Sequence, residues 1–455
     1  MSKILLTIVM NLSIEIFHGG QWTQAASLLI EDPKKGRLSP ARIDYNQSYA
    51  VDWMFNDDAH ACSLNLPVEL FLSHESSHWF GFLDDITPSG ASRRYWIEHL
   101  GIGNLSVGEQ DSILLERGTI APVGNLRIKE SIPQKPEGLL KQRFSIQDVI
   151  DRHIDFLEYA QEMGAVSGGA TGAAGEAPKL LIRCTDQNEI WIDTWQDDSE
   201  NLDQHYLVKF PRGKGTERDA DILRAEFHFY HELTALGVDT IDTSNMKLLE
   251  GDRYPSLWLP RFDVRYDGGT VEHFGLESIY SILDKAPGSH LNHFNVLRDM
   301  CAKLNKQHRV AELKEPFDQQ LFVAQWLERD LLNLIFANSD NHGRNTAIIK
   351  KPEGLWLAPV YDFAPMKADP EDILRTMKWG IPYEQGGQID WTGITQELAD
   401  LADPEFLRHA LQALAAKLVG LKGRLIDRGV SESLLSIPAL GMGTIEKRLQ
   451  AWGLL

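Results

Sequence analysis

Asp340 and Asn345 stand five residues apart in Asn338-Ser339-Asp340-Asn341-His342-Gly343-Arg344-Asn345. That is the spacing at which phosphoryl-transfer catalysts place a carboxylate for the attacking hydroxyl and an amide for a magnesium ion. Asp362, in Tyr361-Asp362-Phe363, offers a second acidic point suited to the same ion. The eight residues also suit a helix-capping turn, because Asn, Ser and Asp favour such turns. Taken alone, the stretch leaves both readings open. Phosphoryl transfer is the expected chemistry only if the rest of the chain builds a nucleotide pocket.

Several upstream stretches could supply one. Residues 164–179 carry five glycines, Gly172 and Gly175 among them, and no bulky side chain before Lys179. Backbone amides in such a loop can approach phosphates closely, although a flexible linker has the same composition. No Gly-Lys-Ser/Thr closes the stretch, so it is not a Walker A loop. A strand over 180–183 is expected next, then a second one, His205-Tyr206-Leu207-Val208-Lys209-Phe210-Pro211. A lysine centred in an apolar strand needs an anion. The helix expected from about Ala220 to Leu236 has Leu223, Phe227, Tyr230 and Leu233 on one face and ends at Gly237. Glu226 stands beside that stripe, where it can pair with Lys209 as phosphate-positioning lysines require, or lie on the surface. Trp258-Leu259-Pro260-Arg261-Phe262-Asp263 reads as an extended crossing between lobes, with Leu259 and Phe262 placed to hold a nucleotide base. Asp263 suits a ribose hydroxyl, or alternatively a pair with Arg261 or Arg265. Beyond it the composition turns helical, and Phe322, Val323, Trp326, Leu327, Leu331 and Leu334 trace one helical face leading into the opening loop.

With 455 residues, two or three domains are expected. A composition 43% hydrophobic and 24% charged is that of a globular protein, and a net charge of −20 disfavours a general nucleic-acid surface. Cys62, Cys184 and Cys301 are scattered, which argues against a disulfide framework and a zinc site. The run Ile4–Met10 is expected to open a first β-strand, not a signal peptide, and no run is long enough to span a membrane. A cytoplasmic protein is expected. Apolar runs at Ala26–Leu29, Tyr49–Trp53 and Leu64–Leu72 predict further strands, and Ala91–Leu100 a short helix ended by Gly101. Nothing in this first part has catalytic spacing, so it reads as a structural or partner-binding module. Polar, proline-containing residues after 129 read as a linker, and a helix is expected from Ser145. Residues 364 to about 400 are expected to be irregular. Asp403-Pro404-Glu405 should start a helix.

Taken in order, these features resemble the HipA family of bacterial serine/threonine kinases, the toxin halves of toxin–antitoxin pairs. The resemblance covers nearly the whole chain. It adds Ser63-Leu64-Asn65-Leu66-Pro67 and Phe82-Leu83-Asp84-Asp85-Ile86-Thr87-Pro88, which are similar to two stretches of that family's first module, and Pro359-Val360-Tyr361-Asp362. It implies an α+β, bilobal protein-kinase-like fold: an N-terminal β-rich subdomain over 1–128, a linker over 129–144, an N-lobe with the glycine-rich loop over 145–262 and a helical C-lobe over 263–455. It implies ATP and Mg2+ as cofactors, Lys209 on the phosphates, Asp263 on the ribose, Asp340 as catalytic base, and Asn345 and Asp362 on the metal. His342 would be a structural hydrogen-bonder. Implied partners are a small helix-turn-helix antitoxin, DNA only through that antitoxin, and a protein substrate such as an aminoacyl-tRNA synthetase, with no membrane. The family carries an autophosphorylated serine in its glycine-rich loop, and Gly172 occupies that position here. Self-phosphorylation is therefore absent or moved to Thr171 or Ser167. An idle kinase-fold corepressor and a small-molecule or lipid kinase are the competing readings.

Overall fold

The computed structural model describes residues 9–56, 58–120, 123–134, 141–163, 179–212, 215–310 and 317–455. Alternation at Leu12, Ile14 and Ile16 puts every second side chain on one face, and these three are buried. The strand Met10–His18 pairs with Gln21–Ile30 on one side and Leu126–Ile128 on the other. Ala41–Tyr45 and Ser73–Ser76 extend the sheet to five antiparallel strands. The run 5–8 falls outside the described residues.

Two expected strands of this module are not strands. Tyr49–Trp53 lies in the helix Gln47–Trp53, where Tyr49 and Ala50 are buried while Val51 is exposed, a helical rather than alternating rhythm. The run Leu64–Leu72 is irregular: Leu64 and Leu66 are buried against different neighbours, and Phe71 and Leu72 face solvent. The helix Gly90–His99 and its left-handed Gly101 are as expected.

A second, six-stranded antiparallel sheet runs in the order Lys247–Glu250, Pro255–Pro260, Gln204–Lys209, Lys179–Cys184, Glu189–Trp191, Phe144–Ser145. Against it packs the helix Glu217–Leu236. Thr216 and Asp219 cap its start reciprocally, and Gly237 ends it at φ 82°. Three strands, Val264–Asp267, Thr270–His273 and Gly275–Ser278, precede the helices of the last part, where helix was expected directly. Gly275–Ser278 pairs with Ala347–Lys351, which pairs with Gly354–Leu357. The loop 338–345 leads into the central strand of this small sheet, and its edge strand Gly354–Leu357 leads on towards Asp362. The helix Gln319–Ile335, begun by Asp318, buries the expected apolar face, and Pro404–Leu418 begins at Asp403. Between them, 364–400 is mostly irregular but includes the helix Trp391–Glu397. Among the described residues no helix is long and apolar enough to cross a membrane.

Candidate active site

Lys179 and Lys209 sit directly opposite each other on adjacent antiparallel strands, so their side chains leave the sheet on the same face. Like charges in that position repel unless an anion lies between them, and Asp362 provides it. Lys209 Nζ donates to Asp362 Oδ1 at 2.5 Å, and Lys179 Nζ lies 3.5 Å from Oδ2. Lys209 also donates to Glu226 Oε1 at 2.6 Å, so the strand–helix pair expected from the sequence is formed. Tyr230, one helical turn beyond Glu226, donates to the same oxygen at 3.0 Å and accepts from Phe363 N at 3.3 Å. The helix thereby fixes both the lysine's partner and the backbone next to Asp362.

Asp362 itself has φ 52°, a left-handed conformation that costs a non-glycine residue about 1 kcal/mol or more. Burial would raise its carboxyl, but the Lys179 and Lys209 ammonium groups outweigh burial and hold it well below the usual carboxylate range. Burial opposes the charge on Lys209 too, and Asp362 and Glu226 overcome it, raising that ammonium above its ordinary value. Asp340 goes the other way. Burial, then the nearby negative charge of Asp362, pushes its carboxyl up to about 7. Two acids in one cleft are thus driven apart, as acid–base chemistry requires.

The loop holding Asp340 is pinned locally. Asn338 accepts from Asp340 N at 3.2 Å, and Asn345 Nδ2 donates to the Asp340 carbonyl at 2.7 Å. Asn345 Oδ1 is buried and has no hydrogen-bond partner. A buried open amide oxygen is a donor of the type a hard cation takes, and magnesium sites use few protein ligands because phosphate oxygens and water complete the shell. In chemical type, an amide oxygen and the Asp362 carboxylate are donors that suit such an ion. His342 accepts from Arg344 N at 3.2 Å through Nδ1, lies 3.6 Å from Asp340 Oδ1 through Nε2, and stacks on Tyr280. Burial, then Arg344, lowers it to about 4, so it stays neutral.

Two adjoining cavities meet at Lys209 and Asp362. One, of about 540 Å³, is walled by Leu207, Ile241, Leu259, Phe262, Leu276 and Tyr361. Its apolar lining suits a nucleotide base. The other, of about 480 Å³, has Lys179, Arg212, Glu226 and Asp340 around it. Asn345 borders a separate space behind the loop, with Tyr361 and Phe363. Asp263 lines the first cavity, yet it is buried and engaged: Arg261 donates to both its oxygens, and Gly124 N donates to Oδ2 at 2.7 Å. Of the two roles open to Asp263, pairing with Arg261 is the one the geometry holds. Gly172, Gly175, Thr171 and Ser167 lie outside the described residues. The sequence reading missed Tyr230, Tyr361, Arg344 and the cleft contacts of Val123 and Gly124. Tyr230 was visible four residues after Glu226, but only as part of an apolar face.

The chain therefore has an α+β fold in which lysine, glutamate and aspartates converge in one cleft. Residues 171–420, more than half the chain, match the family described as the HipA-like C-terminal domain, and the chain belongs to that family. Among solved structures it is similar to HipA of Shewanella oneidensis MR-1, from the toxin–antitoxin complex of HipA, HipB and operator DNA. The two are 16% identical over 97% of each chain, with a TM-score of 0.63. It also aligns with the Helicobacter pylori proinflammatory kinase CtkA at 12% identity, over 62% of this chain and 93% of that one. The TM-score there, 0.38, is too low to bear on the fold. No curated protein sequence matches this chain.

Proposed function

We propose that this protein is an ATP- and Mg2+-dependent serine/threonine protein kinase, acting in the cytoplasm as the toxin of a type II toxin–antitoxin pair. The observation that carries the reading is the buried Lys209–Glu226 pair meeting Asp362 in one cleft with Asp340. Bound magnesium and ATP supply the transferable phosphoryl group and neutralise its charge. Lys209, steered by Glu226, and Lys179 hold phosphates. Asn345 and Asp362 would hold the ion. Leu259 and Phe262 hold the base. Asp340, with a carboxyl near neutrality, takes or orients the proton of the incoming hydroxyl.

The resemblance favours a translation component such as an aminoacyl-tRNA synthetase as substrate. The Shewanella relative was solved with HipB and operator DNA. A small helix-turn-helix antitoxin is accordingly the proposed partner, with DNA reached through it. A self-phosphorylation site, if shifted from Gly172, falls on Thr171, because a phosphate there adds negative charge to a loop that must hold phosphates. Phosphopeptide mapping after incubation with ATP checks that assignment, and an unmodified 164–179 segment removes it.

The test is incubation of wild type and Asp340→Ala with labelled ATP, magnesium and a bacterial lysate. A labelled protein band lost in the variant is expected. ATP binding without Asp340-dependent transfer to any protein would replace this reading with that of a corepressor scaffold.

A further inference from the structure

The first module, which has no catalytic spacing of its own, is fastened to the cleft at three points. The first is Arg344, inside the catalytic loop and 3% exposed. Its Nη2 donates to the Asp84 carbonyl at 3.1 Å and its Nη1 to Ser89 Oγ at 3.2 Å, across 260 and 255 residues of chain. The second is the strand before the helix Ile279–Ile282. There Glu277 accepts from Ser63 Oγ at 2.5 Å and Leu64 N at 2.8 Å, and Asp85 accepts from Ser278 N at 2.8 Å. Gly81 packs so closely that a Cβ there would lie 2.9 Å from Ser281 Cα. The third is Gly124 N on Asp263, beside Val123 in the wall of the base cavity. Both sequence stretches singled out in the first module, 63–67 and 82–88, are thus occupied in holding the last part of the chain.

Arg344 is where this fastening reaches the chemistry. Its backbone carbonyl accepts from Tyr361 OH at 2.6 Å, and Tyr361 precedes Asp362 and stacks on Phe262. Its neighbour Asn345 holds the Asp340 carbonyl. One residue therefore ties the module to the base-bearing and the acid-bearing segments together. A buried guanidinium must find acceptors, and the module supplies two to the Arg344 side chain.

We propose that the first module is a working part of the transfer site, and that Arg344 is the positioning residue through which it holds the Asp340–Asn345 loop. This rests on the kinase reading above. Release of the loop by as little as 1 Å is expected to lower turnover about 100-fold without emptying the nucleotide cleft.

The experiment compares wild type, Arg344→Met, Arg344→Lys, Ser89→Ala and the Arg344→Met/Ser89→Ala double variant. Hydrogen exchange reads the loop without reference to activity. Amides of 338–346 are expected to exchange faster in Arg344→Met, while the strand Lys179–Cys184 keeps its protection. Turnover should fall in Arg344→Met with the Kd for Mg-ATP within about threefold of wild type, and Arg344→Lys should recover part of it. Adding Ser89→Ala to Arg344→Met should not speed exchange of the 338–346 amides further, because Ser89 reaches that loop through the Arg344 side chain. Unchanged loop exchange in Arg344→Met overturns the proposal. So does a loosened loop with wild-type turnover, or a loss of nucleotide binding that matches the loss of turnover. Faster exchange together with a wild type that transfers no phosphate leaves the loop tether standing and removes the kinase reading instead.

Discussion

Replacing Asp340 by asparagine should stabilise the metal-free protein, and more so as pH rises. The carboxyl is raised from 3.8 to about 7 by burial and by Asp362. Its ionisation is therefore easier in the unfolded chain than in the folded one. A raised carboxyl contributes its full stability below the unfolded value, and that contribution is lost as pH rises towards the folded value. The gap of about three units corresponds to roughly 4 kcal/mol in full at pH 8. At pH 5 only the part above 3.8 has been incurred, about 1.6 kcal/mol. Asparagine is neutral at both pH values, so its intrinsic packing difference cancels when the two are compared. The advantage of Asp340→Asn over wild type should accordingly grow by about 2–3 kcal/mol between pH 5 and pH 8. Urea unfolding followed by tryptophan fluorescence in chelator-containing buffer measures it, since urea carries no charge to screen the site. An offset that stays constant across that range would show that Asp340 does not titrate as the cleft's electrostatics require.

Lys209→Met should leave Glu226 and Asp362 buried without their shared cation, lowering stability by about 3–5 kcal/mol and abolishing nucleotide binding; thermal unfolding and calorimetry with ATP check the two effects. Asn345→Ala should raise the magnesium concentration needed for half-maximal transfer tenfold or more, about 1.4 kcal/mol, while ATP affinity changes little, as a metal titration at fixed ATP will show. Gly343→Ala would place a Cβ 2.6 Å from the Tyr280 ring, and the resulting overpacking should cost about 1–3 kcal/mol and displace the loop, read as lost turnover alongside a lowered unfolding midpoint.

Much of the cleft was legible because its residues obey local rules. Lys209 breaks an apolar strand, Glu226 sits one step off a helical stripe, and Asp340 and Asn345 are close in sequence, so each announces itself within a few neighbours. Helix ends were equally plain where a single residue decides them, as Gly237 and Asp403 do. What stayed hidden depends on distant pairing. Arg344 looks like one more polar loop residue until Asp84 and Ser89 arrive from more than 250 positions away. The strands Val264–Asp267 and Thr270–His273 were missed because each is only four residues long, too short for its alternation to stand out. Tyr49–Trp53 misled in the opposite sense, since β-favouring aromatic residues there serve a helix whose buried side is only one turn long.

The double lysine around Asp362 has a consequence for how the cleft fills. Without ligand, its charges already satisfy one another: Asp362 is matched by Lys209 and Lys179. A phosphate arriving alone would draw the lysines away and strand a buried carboxylate. A divalent ion arriving alone would confront two ammonium groups guarding its ligand. Arriving together, they would exchange partners with Lys179, Lys209 and Asp362, cation to carboxylate and phosphates to lysines. Thermodynamic reciprocity then makes each ligand the other's condition for binding. On the proposed kinase reading, such a site would answer to the product of two concentrations, and free magnesium would govern its occupancy as much as the nucleotide.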